Sequence, residues 1–124
     1  EQKYGQNSRI DILLENENQK CYVEVKSVSL KIDDYLAFPD AVTSRGTKHL
    51  NELYEMTLKG HRAVMLYIIQ RDDNLPFRLA YEIDKKYSEA FKEVTNKGVE
   101  VLVYQSFINL EEIYVKKVSI MDSF

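Results

Sequence analysis

Residues 21–28, CYVEVKSV, form the stretch that decides the fold of this chain. Successive side chains of a strand point to opposite faces, so the apolar residues Cys21, Val23 and Val25 share one face. Glu24 and Lys26 then share the other face. The apolar face predicts that this strand is part of the core, yet its other face carries a carboxylate beside an ammonium. Either that face is solvated and the two charges form a weak ion pair, or the two residues belong to a functional site.

A second strand precedes this one. Residues 8–14, SRIDILL, also alternate, and the polar segment 15–20, ENENQK, separates the two strands, which predicts an antiparallel hairpin. Folding the hairpin between Glu17 and Asn18 gives one register. Its pairs are Asp11 with Glu24, Arg9 with Lys26, Leu13 with Tyr22, Ile12 with Val23, Ile10 with Val25, and Leu14 with Cys21. The last three pairs are apolar and predict the core face, and a one-residue slip would set apolar residues against charged ones.

This register brings two carboxylates together. Directly opposed strand residues have Cβ atoms ~5 Å apart, so Asp11 and Glu24 need a cation between them or a raised pKa on one. Mg²⁺ prefers a few carboxylates with backbone oxygen and water, which makes Asp11, Glu24 and the Val25 carbonyl candidate metal ligands. Lys26 could then assist an attacking water or stabilise developing negative charge. The alternative is a surface network of two acids and two bases, including Arg9, in which each ion pair contributes little.

Two helices are predicted further along the chain. The first begins at Pro39-Asp40, with Asp40 as N-cap, and ends at Gly60. Gly46 lies inside it and costs ~1 kcal/mol relative to Ala, which indicates close approach to the sheet or a ligand. The second helix begins at Asp84 and ends before Gly98.

The remaining strands complete an α/β fold. Residues 62–70, RAVMLYIIQ, are almost continuously apolar and predict a central strand that is dry on both faces. Strands are also predicted at 99–104 and 113–120, the latter at an edge, and residues 31–38 are either a short strand or a loop. The order of elements predicts a mixed β-sheet flanked by helices.

Composition limits the partners. The 124 residues suffice for one domain, 1–124, and the formal net charge is −3. A protein that relies on unspecific phosphate contact would be basic, so nucleic-acid binding must depend on a local patch or a bound cation.

The single cysteine excludes an internal disulfide and predicts a cytoplasmic location. The longest apolar run, 63–69, is far shorter than the ~20 residues that cross a bilayer, so no membrane partner is expected.

A basic cluster lies near the start of the first predicted helix. Arg45, Lys48 and His49 are candidates for phosphate contacts beside the metal site, together with Arg9 from the first strand. The alternative for the cluster is a solvated helix face that includes Glu52.

An Asp, a hairpin, Glu-x-Lys, a helix and a buried strand together resemble the core of the PD-(D/E)xK restriction-endonuclease-like superfamily. A closer resemblance rests on SRID, CYVEVKSVSL, FPDAVTSRGTKHLNEL, KGHRAVMLYIIQR, EIDKKYSEAF and GVEVLVY. These segments resemble the C-terminal nuclease-like domain of the sugar fermentation stimulation protein family (SfsA), bacterial and archaeal proteins implicated in regulating sugar utilisation and in DNA binding. The most distinctive part is FPDAVTSRGTKHL.

The resemblance implies specific roles. Asp11 and Glu24 would be the two acids and Lys26 the lysine of a Mg²⁺- or Mn²⁺-dependent enzyme that hydrolyses DNA phosphodiesters. Asp40 and the basic cluster match a second family block, so Asp40 is a possible additional site residue. A non-catalytic DNA-binding regulator of sugar-metabolism genes is the alternative, because such folds can lose activity. A structural domain that binds a stray cation is a third alternative.

The resemblance also implies an N-terminal OB-like domain in the full-length protein, which is absent from this chain. The first residue is not Met, which suggests a fragment. The strandedness of the DNA, the target genes and the oligomeric state stay open.

Overall fold

A computed structural model describes residues 2–4, 8–108, 113–118 and 120 of the chain. The strands in these ranges are β1 (Gln2–Tyr4), β2 (Ser8–Ile10), β3 (Ile12–Glu15), β4 (Lys20–Val28), β5 (Leu30–Ile32), β6 (Tyr35–Phe38), β7 (Arg62–Ile69), β8 (Phe77–Leu79), β9 (Glu100–Ile108) and β10 (Ile113–Lys117). The helices are α1 (Ser44–Leu58) and α2 (Lys85–Asn96). Neither helix has the length and apolar character needed to cross a membrane.

The main sheet has five strands in the order β10-β9-β7-β4-β3. Its central pairs, β4 with β7 and β7 with β9, are parallel, and its outer pairs are antiparallel. The predicted edge strand is β10, at one edge of this sheet. The ambiguous segment 31–38 contributes to β5 and β6, which join β8 in a separate three-stranded sheet. The predicted mixed α/β class is therefore confirmed.

Both helices pack against one face of the main sheet. Tyr67 of β7 contacts Tyr87 and Phe91 of α2, and its register neighbour Lys26 on β4 contacts α1. The opposite face of β7 carries Val64, which is buried, and Leu66 and Ile68, which are only half-buried. The prediction that β7 is dry on both faces is therefore wrong, because both helices of the described ranges cover the same side.

The hairpin of β3 and β4 has the predicted register. Its pairs are Ile12 with Val23, Leu13 with Tyr22, Leu14 with Cys21, and Glu15 with Lys20. The predicted core face is wrong, however: Ile12 and Leu14 remain 42% and 58% exposed, whereas Tyr22 is buried. The helices cover the face of Tyr22 and Glu24, and this choice between faces depends on packing that lies far from the hairpin in sequence.

The first strand of the predicted hairpin is interrupted at Asp11. The chain bends there, and β2 pairs with β1, so that Arg9 lies opposite Lys3 and not opposite Lys26. The predicted ladder pairs at Arg9, Ile10 and Asp11 therefore do not form. The Asp11 carboxylate instead accepts a hydrogen bond from the Val25 N–H, and this side-chain bond replaces a backbone bond of the ladder.

Helix α1 begins four residues later than predicted. The Thr43 hydroxyl accepts the Gly46 N–H at 2.9 Å and caps the helix, while Asp40 lies exposed in the preceding loop. A Cβ on Gly46 would lie 2.8 Å from Thr43 Cγ2 and 3.1 Å from Tyr87 Cε2. The close approach is therefore to the helix cap and to α2, whereas the prediction named the sheet or a ligand. Asp84 caps α2 as predicted and also accepts the Thr43 N–H at 2.8 Å, so one carboxylate joins the starts of both helices.

Candidate metal centre and nucleic-acid interface

Glu24 is a buried charge in the middle of β4. Glu24 is only 3% exposed, and a carboxylate that is this deeply buried requires a neighbouring cation or hydrogen-bond donors. Glu24 Oε1 lies 3.5 Å from Lys26 Nζ and 3.2 Å from His49 Nδ1 of α1. Glu24 and Lys26 are therefore grouped beneath α1, and they are not a solvated surface pair.

Asp11 joins this group through the backbone of β4. The Val25 N–H donates to Asp11 Oδ2 at 2.9 Å, and Val25 lies directly between Glu24 and Lys26. Asp11 thus lies beside the backbone that joins Glu24 to Lys26, and the bend at Asp11, not the predicted cross-strand pair, places it there. Asp11 is exposed, so the group opens to solvent on its side.

The donor set suits a divalent cation that takes few protein ligands. Within the described ranges, no group of three or more His, Cys, Asp or Glu side chains is arranged to hold a metal ion. Mg²⁺ is typically held by one or two carboxylates and keeps several waters. Asp11 and Glu24, with the Val25 carbonyl between Glu24 and Lys26, provide hard oxygen donors of this kind, so the residues present fit such an ion.

An uncharged layer lies behind Glu24. Burial raises the pKa of Tyr67 well above its ordinary value, and the hydroxyl of Tyr67 lies 2.5 Å from that of Tyr87. Burial also raises the pKa of Tyr87, and the nearby charge of Glu24 adds to this effect. Both phenols therefore stay neutral near pH 7. Positive charge beside Glu24 must come from the side of Lys26 or from a bound cation.

The basic residues of α1 occupy two different settings. Arg45 and Lys48 are exposed, whereas His49 is buried against β4. Arg45 precedes His49 by four residues and therefore lies on nearly the same side of the helix. Asp40 is exposed in the loop before α1. The backbone of Arg9 lies in β2, and its side chain is outside the described part of the structure.

Lys48 lines a groove of about 370 Å³ that runs along α1 from Ser44 to Glu55, beside the start of α2. Lys86 of α2 lines the same groove. The other lining residues are Ser44, Thr47, Asn51, Glu52 and Glu55. The groove therefore combines two ammonium groups with hydroxyl and amide donors, and two acids lie along the same groove.

Sequence reasoning missed the contact of His49 with Glu24 and Lys26, the burial of Glu52, and the position of Lys86 in the groove. A signal for His49 exists in the sequence. Leu53 and Met56 follow it at helical spacing, and both are buried, so His49 continues the inward stripe of α1. No comparable sequence signal marks Lys86, because its position depends on how α2 packs beside α1.

The mixed sheet with its buried acid-and-lysine strand defines an α/β protein with a nuclease-like fold. A family model described as "Sugar fermentation stimulation protein RE domain" matches residues 1–112, and the chain belongs to this family. The sugar fermentation stimulation protein homolog of Marinomonas sp. (strain MWYL1) is 54% identical over 117 residues, which cover 93% of this chain and 45% of the relative. The homolog of Geobacter sp. (strain M21) is 46% identical over 114 residues, which cover 92% of this chain and 49% of the relative.

A solved structure supports the fold. The chain is similar to SfsA of Pyrococcus furiosus, solved in complex with Ca²⁺, with a TM-score of 0.86 and 29% sequence identity. The match covers 97% of this chain and 52% of that protein. The chain thus spans about half the length of the relatives that it matches.

Proposed function

We propose that this domain hydrolyses phosphodiester bonds of DNA with the help of Mg²⁺ or Mn²⁺. The observation that carries the proposal is the bond from the Val25 N–H to Asp11, which gathers two carboxylates and a lysine at one point of β4. A buried ion pair placed only for stability would not need a second acid, Asp11, on its solvent side.

Each residue has a distinct role in this proposal. Asp11, Glu24 and the Val25 carbonyl would hold the cation, which when bound polarises a phosphoryl oxygen and lowers the pKa of a water. Lys26 keeps its ammonium beside the reacting group and stabilises developing negative charge. The Ca²⁺ in the relative's structure supports a site for hard divalent cations, since Ca²⁺ and Mg²⁺ share oxygen ligands.

The DNA backbone would lie along the start of α1. Arg45 and Lys48 are exposed there, Lys86 shares the groove with Lys48, and Arg9 leads into the bend at Asp11. Such a patch is compatible with a net charge of −3, because phosphate contacts need only local positive charge. The part of the full-length protein outside this chain, including the expected OB-like domain, would add affinity. A cytoplasmic location stays a prediction from the single cysteine.

One observation favours a second function, a non-catalytic DNA-binding regulator of sugar-metabolism genes. Lys26 and His49 already contact Glu24, so the buried acid is compensated by the protein itself. A domain that binds DNA without cleaving it would keep this arrangement for stability alone.

Metal titration calorimetry on the full-length protein separates the two functions. We expect Mg²⁺ or Mn²⁺ binding in the wild type, sharply weaker binding in Asp11→Asn and Glu24→Gln, and retained binding without DNA cleavage in Lys26→Met. Asp34→Asn is the matched control, because Asp34 is exposed in the turn between β5 and β6. Absence of divalent-metal binding at millimolar concentrations, or cleavage that survives Lys26→Met, would overturn the nuclease proposal.

The proposed DNA contact has its own test. Lys48→Ala should weaken DNA binding about equally across sequences and reduce the slope of log K against log salt by ~1. Lys59→Ala removes an exposed lysine at the opposite end of α1 and should leave the slope unchanged. Equal slopes for wild type and Lys48→Ala would remove the groove from the interface.

A further inference from the structure

Three side chains meet at one nitrogen beneath α1. His49 Nδ1 lies 3.0 Å from Lys26 Nζ and 3.2 Å from Glu24 Oε1, and the distance from Lys26 Nζ to Glu24 Oε1 is 3.5 Å. His49 is only 5% exposed, so water has little access to its ring. The hydrogen-bonding role of His49 Nδ1 therefore depends mainly on Lys26 and Glu24.

The chemistry of the three groups permits few assignments. An ammonium can only donate hydrogen bonds, and an ionised carboxylate can only accept them. A ring nitrogen of neutral histidine either donates or accepts, but not both. If Nδ1 carried a proton, it would donate to Glu24 and would leave the ammonium of Lys26 facing an N–H at hydrogen-bond distance. If Nδ1 carries a lone pair, Lys26 donates to it at 3.0 Å and also pairs with Glu24 at 3.5 Å. The lone pair then faces Glu24 Oε1 at 3.2 Å, but the shortest of the three contacts is a hydrogen bond and not a clash of two donors.

We propose that His49 is a positioning residue that holds the Lys26 ammonium against Glu24, with Nδ1 as acceptor and the ring proton on Nε2. Lys26 has a flexible four-carbon stem, so a single contact with Glu24 leaves its head group several orientations. A second acceptor from α1 fixes the direction of the head group. The position of His49 is fixed in turn, because α1 is capped by Thr43 and tied to α2 through Asp84.

This assignment gives α1 two jobs on adjacent turns. The helix presents the exposed Arg45 and Lys48 to solvent, while its buried His49 orients the lysine of β4. The significance for catalysis rests on the proposed nuclease function, but the hydrogen-bond assignment stands without it. The two ideas can therefore fail separately.

NMR of the full-length protein with ¹⁵N-labelled histidine rings tests the assignment directly. We expect His49 in the Nε2–H tautomer in the wild type. In Lys26→Met the donor is lost, and His49 should change to the Nδ1–H tautomer that donates to Glu24. His61 is the internal control, because its Nδ1 accepts the Lys20 backbone N–H at 3.4 Å and its tautomer should stay the same.

Either of two results would overturn the proposal: an Nδ1–H tautomer of His49 in the wild type, or an unchanged tautomer in a folded Lys26→Met variant. The wild-type spectrum alone decides the first point, even if the variant does not fold.

Kinetics supply the second measurement. His49→Leu removes the acceptor, whereas His49→Asn keeps an amide oxygen that can accept from Lys26. We expect a fall in kcat for DNA cleavage in His49→Leu, partial recovery in His49→Asn, and little change in KM or metal affinity. Equal kcat in wild type and His49→Leu would refute a positioning role. Absence of cleavage in the wild type would refute the nuclease proposal and leave the tautomer assignment intact.

Discussion

At the scale of single residues, two buried charges in the described part of the chain are compensated by other side chains. Glu24 has Lys26 and His49, and Arg78 has Glu82. The Arg78 guanidinium makes two hydrogen bonds to the Glu82 carboxylate, at 2.8 and 2.7 Å, and a third to the Leu79 carbonyl. An uncompensated buried charge would be strongly destabilising, so these pairs are more informative about stability than the exposed ones.

The Arg78–Glu82 pair predicts an acid-dependent loss of stability. The hydrogen bonds from Arg78 lower the pKa of Glu82, so the contribution of the pair is complete above the ordinary glutamate pKa of ~4.3 and is lost as pH falls through the lower folded value. Glu82→Gln should lower the free energy of unfolding by about 1 kcal/mol at pH 7. This value is small for the loss of hydrogen bonds between charged groups, because the carboxylate is 41% exposed. Melting curves from pH 7 to 3 should show a weaker acid dependence in this variant.

Glu89→Gln is the matched control for that experiment. Glu89 also forms an i,i+4 pair, with Lys85 at 3.9 Å, but both side chains are exposed. It should change stability by less than ~0.5 kcal/mol. Equal effects of the two substitutions would show that burial of Arg78 does not strengthen its pair.

At the scale of elements, the two helix starts show what local sequence can decide. Asp84 directly precedes α2 and was predicted as its cap. Before α1, both Asp40 and Thr43 are residue types that cap helices, and the sequence alone does not separate them. The structure selects Thr43, whose backbone N–H is also bound by Asp84 from the start of α2. That contact is non-local and leaves no sequence pattern.

This choice of cap can be checked by stability measurements. Thr43→Ala should lower the free energy of unfolding by about 1 kcal/mol, because the Gly46 N–H loses its acceptor. Thr43→Ser should retain most of the stability, and Asp40→Ala should change it by less than ~0.5 kcal/mol. Urea denaturation supplies all three values. A larger loss in Asp40→Ala than in Thr43→Ala would restore the earlier helix start.

At the scale of the whole molecule, alternation and helical spacing predicted the order of the main elements, the register of β3 with β4, and the position of Glu24 and Lys26 on one face of β4. These features depend on short-range patterns. The covered face of the sheet and the contact from His49 were not predicted, because each depends on where α1 and α2 pack. The bend at Asp11 was also missed, since a side-chain acceptor can replace a ladder bond without altering the alternation.

Because both helices lie on one side of the sheet, substitutions on the two faces of β7 should lower the free energy of unfolding by different amounts. Met65 is fully buried on the helix side, so Met65→Ala should cost ~2–5 kcal/mol as a core cavity. Leu66 is half-buried on the other side, and Leu66→Ala should cost about 1 kcal/mol in the described domain. Urea denaturation of both variants tests the difference. Equal costs would mean that both sides of β7 are covered to the same degree.

The position of β4 between β3 and β7 has a consequence for how the protein is made. Its antiparallel partner β3 precedes it directly, but its parallel partner β7 is synthesised only after α1. Non-local parallel pairing is slow to form, because the intervening chain must first be ordered. A nascent chain that ends before β7 therefore carries Asp11, Glu24 and Lys26 on a hairpin that lacks its parallel partner β7 and the helix α2. Pulse-labelled hydrogen exchange during refolding should show the amides of β4 and β7 gaining protection together, after α1 is helical. Earlier protection of β4 alone would mean that the hairpin folds independently.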